Sequence, residues 1–105
     1  MEGPTTHAVT ILVGRKFCEI DPGDVFANGG DTVIFTNATK APVILFFGNP
    51  ALFERGQVEI KPEDPPVALT VGRGLAKRSF QYAVYSEKTG TFGVGGSSPR
   101  IIVMQ

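Results

Sequence analysis

The sequence predicts an all-β Greek-key sandwich of about seven to eight strands, and three observations carry that prediction. Apolar residues nowhere recur at helical spacing across a window of about ten residues. Several segments instead alternate apolar and polar side chains, the period of a strand with one face buried. Turn signals built on Gly, Pro, Asn and Asp break these segments about every eight to twelve residues. With 105 residues and 42% hydrophobic content, the chain suits one domain over residues 1–105, able to bury a core without disulfides or a structural metal.

Residues 1–6 are small and polar and form a frayed entry. Val9, Ile11 and Val13 then share one face of a first strand, with Ala8, Thr10 and Leu12 on the other. Gly14, Arg15 and Lys16 turn the chain into a short apolar piece at Phe17, Cys18 and Ile20. Asp21-Pro22-Gly23 ends that piece, because Pro presets one turn dihedral and Gly tolerates the other. Val25 and Phe26 lead to Gly29 and Gly30, which release the central strand, in which Val33 and Phe35 oppose Thr32, Ile34 and Thr36. Pro42 opens the next strand where a missing amide does least harm. The run at 43–47 is apolar at every position, so it is either buried on both faces or presents Phe46 or Phe47 at the surface.

Residues 51–56 make a loop or a single helical turn carrying Leu52 and Phe53. Val58 and Ile60 alternate with Gln57 and Glu59, after which Pro62, Pro65 and Pro66 forbid a helix. Val67, Leu69 and Val71 mark another strand, and Phe80, Tyr82 and Val84 the inward face of the next. A loop at 86–98 rich in Gly, Ser and Thr precedes a final strand at 100–104.

Ten basic residues balance ten acidic ones, with no long basic stripe to neutralise phosphates, so nucleic acid is not an expected partner. Cys18 is the sole cysteine, which rules out a disulfide within one chain and leaves the redox compartment open. No segment has the length or hydropathy to span a bilayer, and the apolar run at 8–13 is too short and wrongly flanked for a signal peptide. The expectation is a cytoplasmic chain as written, or a periplasmic or secreted one if Met1 is not the natural beginning.

The order of pieces resembles a cupredoxin. The Gly30-Asp-Thr-Val-Ile-Phe-Thr-Asn37 strand, the Pro42-led strand after a short loop, the Phe80-x-Tyr82-x-Val84 strand and the return into Arg100-Ile-Ile-Val103 carry the match, over most of the chain from Val25 onward. Cupredoxins hold copper through a His after the Pro-led loop and a Cys, a second His and usually a Met around the last loop, soft donors that suit this metal. The resemblance places Val43 at the first His and Val84, by strand parity, at the Cys. Glu87 or Lys88 falls near the second His, and Phe92 or Val94 near the Met. It therefore implies the scaffold without the copper ligands, and no cofactor is expected.

Other candidates for chemistry are weaker. His7, Cys18 and Met104 come from separate segments without ligand spacing and read as a first-strand His, a core thiol and a last-strand Met. Cys18 lacks the flanking signature of a nucleophile. The Gly-rich run at 90–96 has no following helix, as a phosphate loop requires. Glu63 and Asp64 are adjacent in a turn, a poor arrangement for a paired acid and base.

The leading expectation is a non-catalytic, metal-free domain that binds a protein partner through loops at one end of the sandwich, formed by 38–42, 49–55 and 86–98. Lys40, Phe47, Asn49, Leu52, Phe53, Arg55, Glu87 and Phe92 are the candidate binding residues. Loop aromatics often cap the core of small β domains, and capping is the favoured reading of Leu52 and Phe53. A homodimer through an edge strand is a further expectation. The alternatives are an electron-transfer copper protein with a non-standard ligand set and, behind it, an enzyme using Cys18 and His7.

Overall fold

A computed structural model of the chain describes residues 3–13, 18–75, 77–86, 91–92 and 99–104. Ten strands run through them: β1 (Thr6–Val13), β2 (Cys18–Asp21), β3 (Asp24–Ala27), β4 (Thr32–Asn37), β5 (Val43–Phe47), β6 (Gln57–Ile60), β7 (Val67–Thr70), β8 (Arg78–Ser86), β9 (Thr91–Phe92) and β10 (Arg100–Val103). The count exceeds the expected seven or eight because Pro22 and Gly23 separate two short strands, β2 and β3, and a two-residue pairing forms β9. None of the described residues is helical, and no helix is long and apolar enough to cross a membrane.

The first sheet has the order β2-β1-β4-β7 and the second β3-β10-β8-β5-β6, with β9 beside the end of β8. β1 runs parallel to β4 and β3 parallel to β10, while the remaining pairs are antiparallel. The apolar side chains named by period-two alternation are the core: Val9, Ile11, Val33, Phe35 and Leu69 come from the first sheet, and Val43, Leu45, Val58, Ile60, Phe80, Val84, Ile101 and Val103 from the second. The all-apolar run of β5 follows the same alternation. Val43, Leu45 and Phe47 are buried, and Ile44 and Phe46 lie half-buried on the outer face.

Four rings lock the sheets together. Phe35 of β4 meets Tyr82 of β8 edge to face at 5.7 Å and Phe53 at 6.1 Å, and Phe53 meets Phe47 at 5.0 Å. Among the described residues the buried Tyr82 hydroxyl has no hydrogen-bond partner. Its burial, and secondarily the Asp24 charge, push the phenol well above its ordinary range.

At the same end of the sandwich, Asp31 is buried and accepts hydrogen bonds from the Thr5 and Asn28 amides, both at 2.9 Å, with His7 Nε2 at 2.9 Å. Burial opposes ionisation of this carboxyl, but the Asn28, His7 and Thr5 bonds together outweigh it and hold the group below the usual carboxylate range. The clasp fixes the start of β1 to the turn before β4. Gly30 in that turn has φ of 90°, a left-handed conformation that favours glycine, and the Arg73 guanidinium lies over it.

Three substitutions test these groups. A carboxyl whose folded pKa is depressed contributes stability that is present above its unfolded pKa and lost as pH falls through the folded one. Asp31→Asn is therefore expected to lower unfolding free energy by about 1–3 kcal/mol at neutral pH, with the difference narrowing below about pH 4, read by urea denaturation across pH. Tyr82→Phe removes an unpaired buried hydroxyl while keeping the ring, so it is expected to leave stability unchanged or raise it by about 1 kcal/mol, whereas Phe35→Ala lowers it by about 3–5 kcal/mol.

Candidate functional site

The end of the sandwich at which β5 begins is built from a rung across three strands. Val43 lies opposite Ile60 of β6 on one side and opposite Ser86 of β8 on the other, and all three are fully buried. Directly opposed residues in an antiparallel pair project to the same face, so the Val43 methyls and the Ser86 hydroxymethyl both point inward. Leu45, flanked by Val58 and Val84, forms the next inward rung.

The β4–β5 connection closes over this rung through Asn37. Its amide nitrogen donates to Ala41 O at 2.7 Å and to Ile60 O at 2.9 Å, which ties the first sheet to the second. Its amide oxygen accepts from the Thr39 amide at 2.9 Å and from Thr39 Oγ1 at 2.7 Å. Thr39 is buried and also receives the Ala41 N–H at 3.3 Å. Lys40, at the apex of this loop, is exposed with φ of 66°.

By strand parity the resemblance assigns Val84 to the cysteine position; Val84 lies opposite Leu45, and the residue facing Val43 is Ser86, two residues farther along the same face. Neither a valine nor a hydroxymethyl supplies soft sulfur or imidazole. One expectation is corrected, that the three loops lie at one end. A strand leaves its flanking loops at opposite ends, so residues 38–42 lie at the Val43 end of β5 and residues 48–56 at the Phe47 end.

The candidate residues divide accordingly. Lys40 stands at the Val43 end, whereas Asn49 and Arg55 stand at the other. Phe47, Leu52 and Phe53 are not surface groups, with exposures of 4%, 1% and 5%. They plug the far end of the core, where apolar area is withdrawn from water. Asn49 accepts the Ala51 amide at 3.0 Å and shapes that turn. Glu87 lies outside the described residues, as do Lys88 and Val94, and Phe92 is described by its backbone pairing with Tyr85. The large apolar groups that do face solvent among the described residues are Leu12, Met104 and above all Phe26, which sequence alternation does not single out.

Cys18 and His7 cannot act as a pair. Cys18 lies opposite Val13 at one end of β1, and His7 sits six residues along that strand at the other end, a separation of about 20 Å at 3.3–3.4 Å per residue. No group of three or more His, Cys, Asp or Glu side chains able to hold a metal occurs among the described residues. Asn37, Thr39 and Ser86 were not singled out from sequence as site residues, although Asn37-Ala38-Thr39 after a strand is the pattern of a side-chain-capped turn.

No family model and no curated protein matches the chain. Solved structures do. A purple cupredoxin from Nitrosopumilus maritimus superposes with a TM-score of 0.58 at 13% identity, over 92% of this chain and 98% of that one. A pseudoazurin from Sinorhizobium meliltoi gives 0.56 at 17% identity, over 96% and 75%. A blue copper oxidase from Nitrosomonas europaea gives 0.57 at 17% identity, over 97% of this chain but 39% of the oxidase. The fold is therefore the cupredoxin sandwich.

The Asn37 side chain is a polar link between the two sheets at this end. Asn37→Ala is expected to destabilise the protein by about 1–3 kcal/mol through loss of its bonds to the Ile60 carbonyl and the Thr39 amide, the Ala41 carbonyl keeping the Thr39 hydroxyl, and to speed hydrogen exchange of the Thr39 and Ala41 amides before the core amides.

Proposed function

We propose that this domain is a copper-independent binding module on a cupredoxin scaffold, without catalytic activity and with a protein as its partner. The observation that carries the reading is the fully buried Val43–Ser86 pair: the resemblance assigns Val43 to the first histidine's place, and neither side chain offers the sulfur or imidazole that suits copper. The sequence supports it further, because residues 86–99 contain no His, Cys or Met to complete a ligand set. Removing the metal frees the end loops from coordination geometry, and the β4–β5 loop with exposed Lys40 presents there on a rigid sandwich. The contact surface is this loop.

The competing reading is electron transfer or oxidase chemistry at copper, brought by structural neighbours described as a purple cupredoxin and a blue copper oxidase. It requires an unexpected ligand set. Titration of the purified protein with Cu(II) and, under reducing conditions, Cu(I) separates the two. The expected result is no thiolate-to-copper absorption band in the visible and no rise in melting temperature; a tight stoichiometric site with such a band establishes the copper reading instead.

A further inference from the structure

Two strands border each sheet: β2 and β7 the first, β3 and β6 the second. Sheet edges carry unpaired backbone groups, and charge on the edge is the usual protection against pairing with another chain. β2 has Glu19 and Asp21, β3 has Asp24, and β6 has Glu59. β7, Val67–Thr70, has no charge at all. Its outward side chains, Ala68 and Thr70, are small and exposed, and the neighbouring outward positions on β4, Thr32, Ile34 and Thr36, are uncharged as well. Depletion of charge over a continuous face is a signature of an interface core.

The direction of the backbone groups is set by the pairing with β4. Val71 N–H donates to Asp31 O at 2.8 Å, while Thr32 N–H turns the other way, to Thr5 O at 3.0 Å. Thr32 lies opposite Thr70, so antiparallel alternation directs the N–H and C=O groups of Thr70 and Ala68 away from β4, along the open side. A groove of about 510 Å³ runs there, its wall shared between β7 and the turn that carries Phe53 and Glu54, with Arg73 at its end.

We infer that this edge receives β7 of a second copy of the chain, antiparallel, so that two four-stranded sheets become continuous across a twofold axis at Leu69. Ala68 of each copy then faces Thr70 of the other, in a ladder of about four hydrogen bonds. Charge favours a second copy over an unrelated strand. Exposed Glu63 and Asp64 precede β7 and Arg73 follows it, so antiparallel pairing carries each Arg73 toward the acidic pair of the other copy. The ladder also ends itself. Pro66 has no N–H to continue it on one side, and on the other the Gly72 N–H is already donated to Leu52 O at 2.7 Å. The pairing closes as a dimer, and the edges that remain, β2, β3 and β6, each carry charge. It uses a different surface from the β4–β5 loop and is independent of the binding role proposed there.

Sedimentation velocity over a wide concentration range tests this on the intact chain. The wild type is expected to show a reversible monomer–dimer equilibrium that weakens at high salt. Ala68→Lys and, separately, Thr70→Lys are each expected to weaken association at least about tenfold while circular dichroism and melting temperature stay close to wild type, since both side chains face solvent. Gln57→Lys, on the β6 edge, is the control and leaves the dimer intact. A monomer at every concentration up to the solubility limit overturns the inference and leaves the edge to a strand from another protein. A dimer that survives both β7 lysines, or one that Gln57→Lys dissolves, overturns it equally.

Discussion

The register of β5 against β8 is the constraint from which the rest of the molecule follows. Five consecutive apolar residues, Val43 to Phe47, can be satisfied by a strand in two ways that differ by one residue, and a slip of one would exchange every inward side chain for an outward one. The observed pairing puts Val43, Leu45 and Phe47 inside and sets Val43 against Ser86 and Phe47 against Tyr82. The first of those pairs seals one end of the sandwich without donor atoms. The second supplies half of the aromatic cluster at the other end, where Phe35 and Phe53 complete it.

Period-two patterns made most of the fold legible in the sequence. Val33 and Phe35, Val58 and Ile60, and Phe80, Tyr82 and Val84 are inward because alternation leaves no other choice for a half-buried strand. The all-apolar β5 could not be read in the same way, because composition says nothing about which of two adjacent phenylalanines a neighbouring strand will cover. The site was legible in chemistry but not in place. That the positions the resemblance assigns to ligands carry no His, Cys or Met is a statement about residue types, available from the sequence alone, whereas Ser86 becomes the partner of Val43 only through cross-strand register. The loop carrying Leu52 and Phe53 was assigned to the wrong end for a related reason: its position depends on counting strand ends, which hydropathy does not record.

The two ends of the sandwich are held by different physics. At the Phe47 end, rings from three strands and a turn exclude water, and the His7–Asp31 clasp ties down the start of β1. Four aromatic side chains in mutual contact contribute largely through the area they bury, with edge-to-face geometry adding about 0.5–1.5 kcal/mol per pair. At the Val43 end the same core is closed by Val43, Leu45 and Ile60, all fully buried, and by the hydrogen bonds of Asn37.

The Val43 end is held by Asn37. Here the Asn37 amide reaches from the last residue of β4 to the Ile60 carbonyl in the second sheet, and its remaining hydrogen bonds go to Thr39 and Ala41 within its own loop. Every polar atom of that amide is engaged, so the crossing is made with no unpaired donor or acceptor on the side chain. A neutral amide needs no charged ligand set around it, and it tolerates the apolar rung beneath, because Val43 and Ile60 shield its bonds from water. Hydrogen bonding at the loop and apolar packing under it are therefore one device, and each would be weaker without the other.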